Sequence, residues 1–178
     1  FSWSDFVAKN NNVLIGNLGN FINRTLTLAQ NLSPQGPLAI DAKIEEKIEI
    51  LIEEAKKSLE NFEFKNYVEK ILAFSDYGNK YLSVEEPWLL KKDDPVFRKV
   101  IANSLFITLG LFLLLKPLLP ETFDRLSEIL AVKIDLWPED ELDFLKKLLA
   151  RVKINNPVPL FKRIDEAVIE AEKAKIKS

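Results

Sequence analysis

The stretch IDAKIEEKIEILIEEAKKSLENF, residues 40–62, repeats apolar residues every three or four positions. This spacing places them on one face of an α-helix, since a helix turns once in 3.6 residues. The other positions are mostly Glu and Lys, which suit a solvent-facing side. The stretch therefore predicts an amphipathic helix with Asp41 as its N-cap. Its apolar stripe consists of Ile44, Ile48, Leu51, Ile52, Ala55, Leu59 and Phe62.

Helical periodicity continues on both sides of this stretch, and no strand alternation of any length is found. Short loops between long amphipathic helices predict an all-α fold, a bundle of about six to seven helices. We divide it into a bundle over 1–165 and a C-terminal helix over 166–178. A first helix is expected from about Ser4 to Leu32, followed by a loop at 31–41. A helix at 64–82 then precedes a long helix from Pro95 to about Lys116, with Asp94 as its N-cap. Two shorter helices within 119–130 and 137–152, each beginning at a proline, precede the last helix.

Composition limits the chemistry that this chain can perform. The 178 residues are 47% hydrophobic, enough for one well-buried core. There is no His and no Cys, which excludes a Ser-His-Asp or Cys-His nucleophile and the usual zinc ligands. We therefore expect no catalytic residue, no metal and no cofactor within these residues. The chain begins at Phe1 and contains no Met, so we expect a part of a longer protein.

Net charge and hydropathy indicate which partners and which compartment to expect for this chain. A net charge of −2 disfavours a general nucleic-acid binder and DNA in particular, although a local basic strip stays compatible with it. The most apolar run, LFITLGLFLLL at 105–115, is too short to span a bilayer and predicts a buried core helix. With no N-terminal targeting pattern, we expect a cytoplasmic protein that is not held in a membrane.

Asn20 and Arg24 lie in the stretch NVLIGNLGNFINR and are four residues apart, so they share a helix face. Asn offers a donor and an acceptor and Arg a fork of donors, so the pair can read the edge of a flat polar ligand such as a nucleobase. The same pair is also typical of an ordinary solvent-facing surface. Gly16 and Gly19 lower helix propensity by about 1 kcal/mol each relative to Ala, and they predict a close approach to a neighbouring helix.

Trp88 raises a similar alternative within EEPWLLKKDD, residues 85–94. Pro87 stiffens the connection after the preceding helix, so that the ring is either a core anchor or an exposed plate for stacking. Lys91 and Lys92 follow at a distance that suits phosphate groups. The surrounding residues alone leave both alternatives open.

Four stretches together resemble the anticodon-binding helical domain of methionyl-tRNA synthetases of class I. They are LGNFINR (18–24), FKNYVEKILAFSDYGNKYLSVEEPW (64–88), LLLKPLLPETFDRLSEIL (113–130) and NPVPLFKRID (156–165). They occur in the family's order, at about its spacing, and extend over nearly the whole chain. The combination of LGN, an Arg four residues after its Asn, and EPW further on is fairly specific.

The resemblance implies that Asn20, Arg24 and Trp88 surround a CAU anticodon. The Trp88 ring would stack on the cytosine, Asn20 and Arg24 would contact base edges, and Pro87 would set the angle of the ring. The implied partners are methionine tRNAs, initiator and elongator, and a catalytic domain toward which the last helix is expected to pack. ATP and Mg²⁺ would belong to that domain, and the whole enzyme would join methionine to its tRNA. Two alternatives remain: the anticodon domain of another class I synthetase (Ile, Val, Leu or Cys type), and a non-enzymatic helical scaffold.

Overall fold

The computed structural model describes residues 2–30, 39–134, 137–165 and 167–176. Within these residues there is no strand, and there are seven helices longer than a single turn if the continuous segment Trp3–Ala29 is counted as one. The predicted all-α bundle is therefore confirmed. The predicted loop at 31–41 falls largely on residues 31–38, which lie outside the described residues. The helices are α1 (Trp3–Ala8), a π-helical stretch (Lys9–Gly19), α2 (Asn20–Ala29), α3 (Ala42–Glu60), α4 (Phe64–Glu85), α5 (Pro95–Leu115), α6 (Pro120–Leu130), α7 (Glu141–Leu149) and α8 (Ala167–Ile176).

Helix α5 is the centre of the bundle. Every residue from Val100 to Leu115 is buried, and α5 packs against α2, α3, α4, α6 and α7. It begins as predicted, because Asp94 caps it by accepting a 2.8 Å hydrogen bond from the Val96 backbone N–H, with Pro95 at its first position. The other helices are thus arranged around one apolar central helix.

The predicted length of α5 is confirmed, and it corrects the expectation based on the run 105–115 alone. The apolar run at 105–115 extends backward into a 21-residue helix, which by length and composition is sufficient to cross a membrane. In this structure 89% of its most apolar window is buried inside the bundle. The prediction of a buried core helix is confirmed, but the reason is burial by neighbouring helices and not insufficient length.

Helix α3 shows the predicted stripe with two differences. Phe62 is not part of it: the helix ends at Glu60, and Phe62 has a left-handed backbone (φ 59°) with 78% of its surface exposed. Asp41 occupies the N-cap position, but its side chain does not cap the helix. The carboxylate instead accepts a 2.8 Å hydrogen bond from Asn103 Nδ2 on α5 and pairs with Lys99. The hydrogen bond from Lys99 lowers the pKa of Asp41 below its usual 3.8, and the bond from Asn103 lowers it further, against an opposing effect of burial.

The two shorter helices begin differently from each other. Helix α6 has Pro120 at its first position, as predicted. Helix α7 begins at Glu141, three residues after Pro138, because Asp140 is its cap and accepts a 2.9 Å bond from the Asp143 N–H. A proline therefore precedes α7 but does not begin it.

The segment after α7 crosses the first helical segment. Asn11 Nδ2 donates to the Ile164 carbonyl (2.9 Å), while Asn11 Oδ1 accepts from the Ile164 N–H (3.0 Å). Gly19 permits this crossing, since a Cβ there would lie 3.0 Å from the Phe161 ring. The predicted close approach is thus to this non-helical segment and not to a helix, and Gly16 has only its own helix within 4 Å.

Helix α8 lies beside α1. Trp3 and Phe6 of α1 and Val168 and Ile169 of α8 help to line an apolar cavity of about 370 Å³ between them. Phe6 is 47% exposed. The two ends of the chain therefore form one apolar surface.

Candidate functional site

The site is built where α2 runs alongside α4. Gly78 makes this approach possible, because a Cβ at that position would lie only 2.6 Å from the Phe21 ring. With hydrogen alone at Gly78, the fully buried Phe21 ring packs directly on the α4 backbone. The two helices are held in a fixed register, which sets the positions of the polar side chains on either side of this contact.

The backbone after α4 presents Trp88 to solvent. The helix ends at Glu85, and Glu86 adopts a left-handed conformation (φ 44°, ψ 50°). Such a conformation is uncommon outside glycine, and here the residue before a proline avoids the right-handed helical region. Pro87–Leu89 then form one turn of 3₁₀-helix that packs on α5, with Pro87 buried. Trp88 projects from this anchored turn with 45% of its surface exposed, which favours the stacking plate over the core anchor.

Arg24 lies against the ring of Trp88. The guanidinium carbon is 4.8 Å from the ring centroid, a cation–π contact that contributes about 0.5–1 kcal/mol at an exposed site. Because Arg24 is on α2 and Trp88 follows α4, this contact joins the two elements at one surface. The structure therefore brings together two residues that are 64 positions apart in the sequence.

Asn20 lies one helical turn before Arg24 and is exposed on the same surface. Its Nδ2 donates a 2.9 Å hydrogen bond to Asn79 Oδ1 on α4. Asn20, Arg24 and Asn79 line a shallow cavity of about 270 Å³, together with Gly16, Asn17, Asp76, Lys80 and Ser83. The cavity holds amide, guanidinium, carboxylate and ammonium groups, so it offers both donors and acceptors to a polar planar ligand.

Charges of both signs surround this cavity. Lys80 pairs with Asp76 at 2.7 Å, and both side chains are at least half exposed. Lys91 and Lys92 are exposed shortly after the Trp88 turn, where they are followed by the exposed carboxylate of Asp93. The surface is not a basic face, so phosphate attraction alone does not define it. That Lys91 and Lys92 contact phosphates stays a prediction.

Sequence reasoning missed Asn79 and gave no role to Asn17, which lies beside it. Their signal was nonetheless present: Gly78 and Asn79 are adjacent poor helix formers in the interior of the 22-residue α4. Such a pair inside a helix indicates a tertiary reason, here the Phe21 contact and an amide hydrogen-bond network. The partner of Asn79 could not be identified from periodicity alone.

Comparison with known protein families gives a clear match. A model of the anticodon binding domain of methionyl tRNA ligase matches residues 34–178. The matched region contains Asn79, Pro87 and Trp88 but begins after Asn20 and Arg24.

Curated relatives extend the similarity over the first helices. The methionine–tRNA ligase of Methanococcoides burtonii is 32% identical over 178 residues, and that of Bacillus mycoides is 33% identical over 182 residues. These alignments cover 98% and 99% of this chain but 26% and 32% of the relatives. The chain thus spans about a third or less of the length of the relatives it matches.

Solved structures show the same fold. The free form of Mycobacterium tuberculosis methionyl-tRNA synthetase aligns with a TM-score of 0.75 over 93% of this chain and 35% of that one, at 21% identity. The form of that enzyme bound by methionyl-adenylate aligns equally well, with a TM-score of 0.75 over 91% of this chain and 34% of that one. At this level of identity the likeness concerns the helical architecture alone.

Proposed function

The chain belongs to the family of anticodon-binding domains of methionyl-tRNA ligases, and on that premise we propose that it recognises the CAU anticodon of methionine tRNAs through Asn20, Arg24 and Trp88. Family membership disfavours both alternatives, another class I synthetase and a helical scaffold. The observation that carries the proposal is the exposed Trp88 ring beside the Arg24 guanidinium.

The geometry suits a single-stranded RNA loop. Proteins recognise unpaired bases by stacking them on aromatic rings and by hydrogen bonds to their edges. Trp88 supplies the stacking surface, held by the buried Pro87, and the cytosine base is its proposed partner. Arg24 and Asn20 supply donors and an acceptor within the adjoining cavity, where polar edges of the anticodon bases would lie. Lys91 and Lys92 are proposed to contact the loop phosphates.

The function of the whole protein is a wider proposal. Its relatives are methionine–tRNA ligases, so we propose that this chain directs initiator and elongator methionine tRNAs to a catalytic domain. That domain would use ATP and Mg²⁺, and the protein would act in the cytoplasm. The apolar cavity between α1 and α8, with half-exposed Phe6 and Val168, is the surface proposed to face the catalytic domain.

Exchange of the anticodon tests the proposed recognition. RNA stem-loops with one common stem and either a CAU loop or a loop of other anticodon bases would be titrated into the 178-residue chain, with fluorescence anisotropy as the readout. We expect the CAU loop to bind at least about tenfold more tightly, since two or three base contacts differ. Equal affinity for all loops would reduce the interaction to phosphate attraction and refute the proposal.

A further inference from the structure

Three asparagine side chains form a continuous line of hydrogen bonds between α2, its π-helical extension and α4. Asn17 Nδ2 donates to the Leu72 carbonyl at 3.0 Å. Asn79 Nδ2 lies 3.1 Å from Asn17 Oδ1, 3.0 Å from the Asn17 carbonyl and 3.2 Å from the Ser75 carbonyl. Asn20 Nδ2 in turn donates to Asn79 Oδ1 at 2.9 Å. We call Asn17, Asn79 and Asn20 the amide ladder.

The ladder has only one consistent direction. A backbone carbonyl accepts hydrogen bonds and never donates them, so the Leu72 carbonyl must face the NH₂ group of Asn17 and not its oxygen. Asn17 Oδ1 is then the acceptor for Asn79. A reversed Asn79 amide would place its oxygen against three other oxygens, which leaves no donor among them. Asn79 Oδ1 therefore faces Asn20, and this fixes the Asn20 amide as well.

The end of the ladder is an outward-facing acceptor. Asn20 is exposed, its Nδ2 is engaged with Asn79, and no hydrogen bond reaches its Oδ1 from residues 2–30, 39–134, 137–165 or 167–176. We propose that Asn79 is a positioning residue that holds Asn20 Oδ1 as a hydrogen-bond acceptor for the exocyclic amino group of an anticodon base. This inference rests on the proposed function and adds the atom that reads the base and the residue that orients it.

The ladder gives a chemical rule for selection. Cytosine and adenine carry an amino group that can donate to Asn20 Oδ1, whereas uracil presents a carbonyl oxygen in the corresponding position. Two acceptors facing each other in the cavity would leave both without a donor. Without Asn79, the Asn20 amide could turn over and offer NH₂ in place of oxygen. The variant would then lose the distinction between a base that carries an amino group and one that does not.

The test uses stem-loops in which single amino groups are removed. One loop has pyrimidin-2-one riboside in place of the anticodon cytosine, and the other has purine riboside in place of the adenine. We expect one of them to bind the chain about five- to tenfold more weakly than the CAU loop, in keeping with the loss of one hydrogen bond. Which loop weakens identifies the base that Asn20 reads. In Asn79→Leu the ratio of the dissociation constants of the weakened loop and the CAU loop should fall to within about twofold. Asn61→Leu, at an exposed site at the end of α3, should retain the ratio of the unaltered chain.

The inference is overturned if Asn79→Leu keeps the full ratio, or if both amino-free loops bind the unaltered chain as tightly as the CAU loop does. In either case a preference for CAU over exchanged anticodons leaves the proposed function in place. If the chain shows no such preference, both ideas fail. Should Asn79→Leu not fold, amide NMR of the unaltered chain decides instead: the NH₂ protons of Asn17 and Asn79 should exchange with water more slowly than those of Asn61, and equal rates would refute the ladder.

Discussion

Replacement of Trp88 by alanine removes the ring on which a base is proposed to stack. A stacked base contributes about 1–3 kcal/mol in single-stranded RNA complexes, which corresponds to a loss of about 5- to 150-fold in affinity. The cost to the fold is limited, because the ring is 45% exposed and its cation–π interaction with Arg24 contributes only about 0.5–1 kcal/mol. The variant is therefore expected to fold and to bind the CAU loop weakly.

The assay is the dissociation constant of the CAU stem-loop, with thermal unfolding measured in parallel. Trp88→Phe should recover much of the affinity, because it keeps an aromatic face. Trp137→Ala is a matched control: Trp137 is also partly exposed, but it donates to Glu141, the first residue of α7, and is not part of the site. Stacking on Trp88 is refuted if Trp88→Ala binds as tightly as the unaltered chain, or if Trp137→Ala loses as much affinity.

Three further predictions concern recognition, packing and acid stability. Arg24→Ala should lower the preference for CAU over exchanged anticodons, measured as a ratio of dissociation constants; an equal loss for every loop would indicate phosphate binding only. Gly78→Ala should destabilise the fold by about 1–3 kcal/mol through overpacking against the α2 ring, whereas Gly16→Ala, with only its own helix nearby, should not lower the melting temperature. Because Lys99 lowers the folded-state pKa of Asp41 below 3.8, the pair stabilises the fold above that pH and this contribution is lost as the pH falls through the lowered pKa. Urea unfolding should thus give Asp41→Asn a lower free energy of unfolding than the unaltered chain at neutral pH, and this difference should shrink as the pH falls below 3.8. A difference that persists unchanged at low pH would contradict the assignment.

The positions of the helices followed from local sequence signals where those signals acted alone. Asp94 and Pro95 fixed the start of α5, and the apolar run made it the core. Where two signals competed, the prediction was less accurate. Pro138 indicated a helix start, but the side chain of Asp140 caps α7 two residues later. Phe62 continued the α3 stripe in spacing, yet it lies in the left-handed turn that reverses the chain toward α4.

The residues of the candidate site were also predictable only where local sequence signals identify them. The sequence pointed to Asn20, Arg24 and Trp88, and their common surface is visible in the structure because Arg24 contacts the Trp88 ring. The hydrogen-bond partner of Asn20 could not be predicted, since it depends on the register between α2 and α4. That register is set by Phe21 packing on Gly78, a contact across 57 residues of sequence that no local periodicity encodes.

Whether the surface formed by α2, α4 and the Trp88 turn reads the anticodon can be tested by mapping backbone amide shifts on addition of the CAU stem-loop. We expect the shifts to concentrate at Asn20 and Arg24 of α2, at Asn79 of α4 and at the turn of Trp88, with little change in α6 and α7. Shifts centred instead on the groove that Arg125 and Glu128 of α6 line together with Asn156, or spread evenly over exposed lysines, would contradict anticodon recognition at this surface.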